Sequence, residues 1–72
     1  MSDRERRLVK LAISLTSPSE GATHSHARQA LSAGIGIADL RHVAFLAATT
    51  IGFPAMMRAL TWIMDVQDDG EI

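Results

Sequence analysis

The sequence predicts an all-α fold, a small bundle of about four helices. Apolar side chains recur at helical spacing along most of the chain, and no segment shows the period-two alternation of a half-buried strand. Clusters of glycine, proline and serine divide the chain into four segments of helical length. Because 72 residues suffice for only one core, we expect residues 1–72 to form a single domain.

The first helix is predicted over residues 3–16, where apolar side chains follow the spacing i, i+3, i+4 and i+7. The stripe consists of Leu8, Leu11, Ala12 and Leu15, with Val9 and Ile13 in a flanking row. A second helix follows, because Ser17-Pro18-Ser19-Glu20 has the pattern of a capping box with proline at the first helical position. We expect this helix to start near Pro18 and to end at about Ala33, with Gly34 as its left-handed C-cap. Its apolar positions are mostly alanine, which favours close helix packing: Ala22, Ala27, Ala30 and Ala33, joined by Leu31.

The third helix is predicted from Ile37 to Thr50, and it is apolar on nearly every side. One face carries Leu40, Val43, Ala44, Ala47 and Ile51, and the other carries Phe45, Leu46 and Ala48. After the break at Gly52, a fourth helix is predicted from Pro54 to Val66, since proline suits the first turn of a helix. We expect residues 67–72 to form a frayed acidic tail.

Charge is unevenly distributed along the chain, and this predicts self-association. The 54 residues from 11 to 64 carry only five charged side chains: Glu20, Arg28, Asp39, Arg41 and Arg58. That is about 9%, against a usual value of about 25%. A chain this short cannot bury so apolar a middle alone, so we expect a homo-oligomer.

Composition excludes several classes of protein. The absence of cysteine rules out disulfides, thiolate metal sites and cysteine nucleophiles, and it is compatible with a cytoplasmic location. A net charge of −1 gives no basic surface for nucleic acid. The longest charge-free run, from His42 to Met57, has 16 residues and is broken by Gly52 and Pro54, whereas a spanning helix needs about 20 residues. We therefore expect neither nucleic-acid nor membrane partners.

The three histidines are the candidates for chemistry. His24 and His26 are two residues apart on a predicted helix, so they point about 200° away from each other and cannot chelate one metal. No ligand spacing supports a site that combines one of them with His42, so we predict no metal and no cofactor. His26 lies among alanines, and a neutral imidazole there is suited to acid–base chemistry near neutral pH. Ser19 lies two turns, or about 10 Å, before His26, which is too far for direct activation of a serine nucleophile.

A resemblance to a known family rests on three segments of the chain. They are His26-Ala27-Arg28-Gln29-Ala30-Leu31-Ser32-Ala33-Gly34, Leu40, and Ile51-Gly52-Phe53-Pro54-Ala55. In these segments the chain resembles the carboxymuconolactone decarboxylase-like family, which includes the alkylhydroperoxidase AhpD. The resemblance extends from about Leu8 to Val66 and implies trimers or hexamers built through helical faces.

The resemblance implies particular roles at the family's Cys-x-x-Cys-x-x-x-His motif. His26 takes the place of the motif histidine, while Ala22 and Ser19 stand where the two cysteines would be. The upstream glutamate of the peroxidase branch falls near Arg7, with Glu5 as the closest acid. Thiol peroxidase activity is therefore not transferred to this chain.

Two functional hypotheses remain. In the first, the chain is an oligomeric binding or assembly module, with an apolar small molecule bound near His26 and Trp62. In the second, it is a cysteine-independent lyase or decarboxylase that uses His26 as its acid–base residue at a subunit interface, as the other branch of the family implies. Glu20 lies about 120° around the helix from His26, so the two should not touch within one chain.

Overall fold

Four helices make up the fold of the computed structural model, which describes residues 1–17 and 19–70, with side chains as far as residue 67. They are α1 (Asp3–Thr16), α2 (Glu20–Ser32), α3 (Ile37–Ile51) and α4 (Phe53–Gly70). The described residues contain no strand, so the predicted all-α fold is confirmed.

The four helices pack around one core. α1 contacts α2 and α3, and α4 contacts the same two helices from the other side. Leu11, Leu15, Leu40 and Ile63 are the large apolar side chains that are fully buried between them. Two alanines of α2, Ala27 and Ala30, are completely inaccessible, which agrees with the close packing expected of small side chains.

The start of α1 is fixed by a capping box that the sequence contains but that we did not predict. The hydroxyl of Ser2 accepts a hydrogen bond from the Glu5 N–H at 3.0 Å, and the Glu5 carboxylate accepts one from the Ser2 N–H at 2.8 Å. The bond from the Ser2 backbone holds the pKa of Glu5 below its ordinary value. Asp3, in the same turn, has its pKa lowered chiefly by a hydrogen bond from Arg7 at 2.7 Å.

The predicted start of α2 is wrong in its capping residue. The N-cap is Ser19, whose hydroxyl accepts a hydrogen bond from the Ala22 N–H at 3.3 Å, and the helix begins at Glu20. Ser17 instead ends α1, because its N–H donates to the Ile13 carbonyl at 3.3 Å. The position predicted for Pro18, in the first turn of α2, lies outside the described residues.

The end of α2 agrees with the prediction for Gly34. This residue has a φ of +90°, and its N–H donates to the Leu31 carbonyl at 3.0 Å. The next residue, Ile35, donates its N–H to the Ala30 carbonyl at 3.1 Å, and both residues are buried. These two bonds form a Schellman motif, which returns the chain into the core before α3 begins.

A buried hydrogen bond ties α1 to α2 where proline removes a donor. The Ser14 carbonyl would normally accept from the N–H of residue 18, but proline has none. The hydroxyl of Thr23, itself fully buried, donates to this carbonyl at 3.3 Å. The carbonyl is thereby satisfied inside the protein, where an unpaired one would be costly.

Gly52 separates α3 from α4. Its φ of 87° and ψ of 162° lie in a region that is open essentially only to glycine, and its N–H donates to the Ala48 carbonyl at 2.8 Å. Pro54 lies in the first turn of α4, as predicted. α4 then runs to Gly70, four residues past the predicted end at Val66, so residues 67–70 of the predicted tail have helical backbone. Residues 71–72 lie outside the described part.

Several large apolar side chains remain on the surface of the single chain. Ile13, Leu46 and Phe53 each expose more than 60% of their area, and Phe45 exposes 51%. α3, which is apolar on nearly every side, is therefore not buried on all sides within one chain. Among the described helices, none combines the length and the hydropathy that a membrane crossing demands.

Candidate functional site

His26 lines an open cavity between α1 and α2, which we call the His26 pocket. Its volume is about 400 Å³. The lining combines apolar surface with polar groups: Lys10, Ile13, Ser14, Ser17, Ser19, Ala22 and His26. His26 is half-buried at this wall, so its ring is held by the fold and remains accessible from the cavity.

The three positions assigned by resemblance to the family motif meet in this pocket. Ser19 and Ala22 line the same wall as His26, because spacings of three and seven residues return to nearly the same helix face. The Ser19 hydroxyl accepts the capping hydrogen bond from Ala22, so it is used in starting α2. Ala22 offers only a methyl group. Of the three motif positions, His26 alone carries a side chain of the type used in acid–base chemistry.

The glutamate implied by the resemblance is not at the pocket. Glu5 is exposed and occupied in the capping box of α1, and Arg7 is absent from the cavity lining. The charged group that α1 contributes is Lys10. The charged side chain with which α1 lines the pocket is therefore a cation and not an acid.

No carboxylate among the described residues lines the His26 pocket. Glu20, the nearest acid in sequence on α2, turns toward α4, as its angular separation from His26 predicted. Within a single chain, the described residues thus give His26 no acidic partner. A lyase would have to take that partner from another subunit or from the substrate.

The other histidine of α2 faces the opposite side of the helix. The Nε2 atom of His24 lies 3.2 Å from Oδ2 of Asp65 on α4, and the His24 side chain is 22% exposed. Glu20 lies one turn before His24, and one potential ligand atom from each of the three residues lies within 4.8 Å of the other two. Sequence reasoning missed this cluster, although the spacing of Glu20 and His24, four residues on a helix, is a recognisable signal.

The remaining candidates lie elsewhere. His42 is exposed on α3. Trp62 is half-buried on α4 with the guanidinium of Arg58 stacked 5.3 Å above its ring, and it does not line the His26 pocket. Within the single chain, Trp62 is therefore not part of the cavity beside His26, and a ligand site shared by the two residues stays a prediction.

A second cavity, of about 440 Å³, is an apolar groove between α1 and α3. We call it the α1–α3 groove. Its lining carries no charge: Leu8, Val9, Ala12, Thr16, Val43, Leu46, Ala47 and Thr50. Leu46, which lines this groove, is 67% exposed in the single chain.

Comparison with known proteins agrees with the resemblance seen in the sequence. A search of curated proteins finds no significant match, and neither does a search of solved structures. The family model described as "Carboxymuconolactone decarboxylase family" matches residues 1–65, which is nearly the whole chain. The four helices without strands agree with the all-α fold of that family. This cysteine-free chain therefore belongs to the carboxymuconolactone decarboxylase family.

Proposed function

We propose that the chain is an oligomeric binding module that holds a small molecule in the His26 pocket. The observation that carries this proposal is the cavity itself, about 400 Å³ in volume, at the place where the motif positions converge. Pockets for small molecules are commonly 300–1,000 Å³ and mostly apolar, with a few polar groups that orient the ligand. The His26 pocket has this composition.

The lining defines the kind of ligand. Ile13 and Ala22 provide apolar surface, while Lys10 contributes a positive charge at one wall. The three serines add hydroxyl groups that accept or donate hydrogen bonds. A small, largely apolar molecule with one acidic group fits this arrangement better than a purely apolar one.

Thiol peroxidase activity has no basis in this chain. Reduction of a peroxide by the family's motif needs a thiolate, and the two cysteine positions hold Ser19 and Ala22. A serine hydroxyl neither ionises readily near neutral pH nor forms a disulfide. The chain retains the helical scaffold and the histidine without the groups that carry electrons.

A lyase or decarboxylase that uses His26 as its acid–base residue is the second candidate. It is favoured by one observation, the accessibility of His26 and Lys10 to the same cavity. Lys10 would hold a carboxylate of the substrate, and His26 would transfer a proton. This candidate requires an acidic partner from a neighbouring subunit or from the substrate, because no described residue of the same chain supplies one at the pocket.

Assembly is part of the proposal, and the occupant of the α1–α3 groove is a second copy of the chain. The groove carries no charge, and the C-terminal part of α3, from Val43 to Ile51, contains no ionisable side chain. A partner with an equally uncharged surface is required, and another copy presents one. Trimers or hexamers, as the family implies, would cover this face and would bring further side chains toward the pockets.

The binding proposal is tested by filling the pocket. In an NMR screen of small aromatic and aliphatic carboxylates, we expect amide shifts to cluster at Ile13, Ser14, Ala22 and His26. Ala22→Phe should abolish these shifts, because its ring occupies the cavity. Ala38→Phe, at an exposed position of α3, is the matched control and should leave binding intact. Binding that survives Ala22→Phe, or no binding by any carboxylate at millimolar concentration, would contradict the proposal.

The two candidates are separated by turnover. If the chain is a binding module, His26→Ala and the control His42→Ala leave a ligand intact and bound. If it is a lyase, the wild type consumes a carboxylate ligand, and His26→Ala slows this at least about tenfold while His42→Ala does not. Loss of carbon dioxide or of substrate absorbance is the measurement.

A further inference from the structure

We propose that Glu20, His24 and Asp65 form a binding site for a divalent transition-metal ion that connects α2 to α4. One carboxylate oxygen or ring nitrogen from each side chain lies within 4.8 Å of the other two. This site is on the opposite side of α2 from the His26 pocket, and it does not depend on the function proposed above.

The helices place the ligands without distortion. Glu20 and His24 are four residues apart on α2, so their side chains lie on one face. Asp65 projects from α4, which packs against α2 along the core. The site therefore joins α2 to α4 through His24 and Asp65, which are 41 residues apart in the sequence.

The distances suit a small cation. Around a tetrahedral Zn²⁺ ion with ligands at about 2.0–2.1 Å, neighbouring ligand atoms are about 3.3 Å apart. Nε2 of His24 and Oδ2 of Asp65 are 3.2 Å apart. The Glu20 oxygen lies within 4.8 Å of these two atoms. Because Glu20 is the exposed first residue of α2, a change of its rotamer brings this oxygen to the shorter distance that coordination needs. One or two water molecules would complete the coordination.

The charges also suit a divalent cation. Two carboxylates and one neutral imidazole present two negative charges, which equals the charge of the ion. The described residues provide no ion pair for Glu20, while Asp65 is paired only through His24. The nitrogen ligand favours Zn²⁺, Co²⁺ or Ni²⁺ over Mg²⁺ and Ca²⁺, which prefer oxygen.

A hydrogen bond between His24 and Asp65 alone would explain two of the three residues. It gives no reason for a second carboxylate to lie within 4.8 Å of both, where the negative charges repel each other. Metal binding accounts for all three. It requires the neutral imidazole with its proton on Nδ1, so that the Nε2 lone pair faces the ion.

Titration with Zn²⁺ and Co²⁺ tests the proposal, using the tag-free protein in its native assembly. We expect saturable binding of one ion per chain by calorimetry, and a Co²⁺ absorption spectrum of low-coordinate N/O ligation. Saturating Zn²⁺ should raise Tm by about 5 °C or more, because the ion binds only the folded arrangement. Mg²⁺ at the same concentration should leave Tm unchanged.

Variants assign the binding to these side chains. His24→Ala, Glu20→Gln and Asp65→Asn should each weaken Zn²⁺ binding at least about tenfold, while His26→Ala and His42→Ala retain it. Circular dichroism confirms that each variant is folded. Absence of saturable Zn²⁺ binding below millimolar concentration would overturn the proposal. Binding that persists in His24→Ala, or that is indifferent to Glu20→Gln, would overturn it equally.

Discussion

Substitution of Leu46 by glutamate should dissociate the proposed assembly without unfolding the helices. Leu46 lines the α1–α3 groove and is 67% exposed in the single chain, so its side chain contributes little to the core. If a second copy covers the groove, Leu46 becomes an interface residue. Leu46→Glu then removes an apolar contact and places a charged carboxylate in an interface from which water is excluded.

The magnitude follows from the exposed fraction. Burying a whole leucine side chain is worth about 1.5–3 kcal/mol, so covering the exposed two-thirds contributes about 1–2 kcal/mol per subunit. Burying an unpaired carboxylate in the same place costs several kcal/mol more, and the water molecules that the carboxylate retains reduce this cost. A total of about 3 kcal/mol or more per subunit corresponds to at least a hundredfold weaker association.

Sedimentation velocity at micromolar concentration is the assay. The wild type should sediment at a multiple of 7.8 kDa, and Leu46→Glu should move toward the monomer with its helical circular dichroism retained. Gln29→Glu adds the same charge at an exposed position of α2 and should keep the wild-type mass. A wild-type chain that remains a folded monomer refutes the reasoning, and so does an assembly indifferent to Leu46→Glu.

Three further predictions concern the fold. Thr23→Val, which leaves the Ser14 carbonyl unpaired in the interior, should lower the free energy of unfolding by about 1–3 kcal/mol in urea titrations, and Thr23→Ser should retain the hydrogen bond. Gly52→Ala should cost about 1–3 kcal/mol from backbone strain alone, since the space around it is open; Gly36→Ala, at a φ of −71°, is the control without that strain. By NMR titration, the pKa of the Glu5 carboxyl should lie below its ordinary value. The hydrogen bonds to the ionised carboxylate therefore stabilise the first turn of α1 fully at pH values above that ordinary pKa, and this stabilisation is lost as the pH falls through the lowered pKa.

The helices were predictable because their ends depend on local chemistry. Gly34 and Gly52 both have positive φ values, which side chains resist, so glycine marks both turns in the sequence. The start of α2 was harder to locate. Ser17 and Ser19 are both suitable N-caps, and only the packing of α1 shows that Ser17 belongs to the preceding helix.

The candidate sites were predictable only where they lie on one helix. The convergence of Ser19, Ala22 and His26 follows from helical spacing, which the sequence displays. The contribution of Lys10 depends on how α1 packs against α2, and that of Asp65 depends on a contact between helices distant in sequence. No local pattern encodes either contact, because each arises from the tertiary arrangement of the four helices.

The N-terminal part of α2, together with its N-cap Ser19, contributes to two separate sites, and this makes the independence of the two sites testable. His24 faces Asp65 on α4, whereas His26 faces the cavity beside α1, because residues two apart on a helix diverge by about 200°. If both proposals hold, His26→Ala should keep the full Zn²⁺-induced rise in Tm, and His24→Ala should keep the carboxylate-induced NMR shifts. In the double variant, the Zn²⁺-induced rise in Tm should be the same as in His24→Ala, and the carboxylate-induced NMR shifts should be the same as in His26→Ala, since the two sites share no side chain. A Zn²⁺ response that requires His26 would instead place the ion in the pocket, and the metal would then belong to the family motif and not to the contact between α2 and α4.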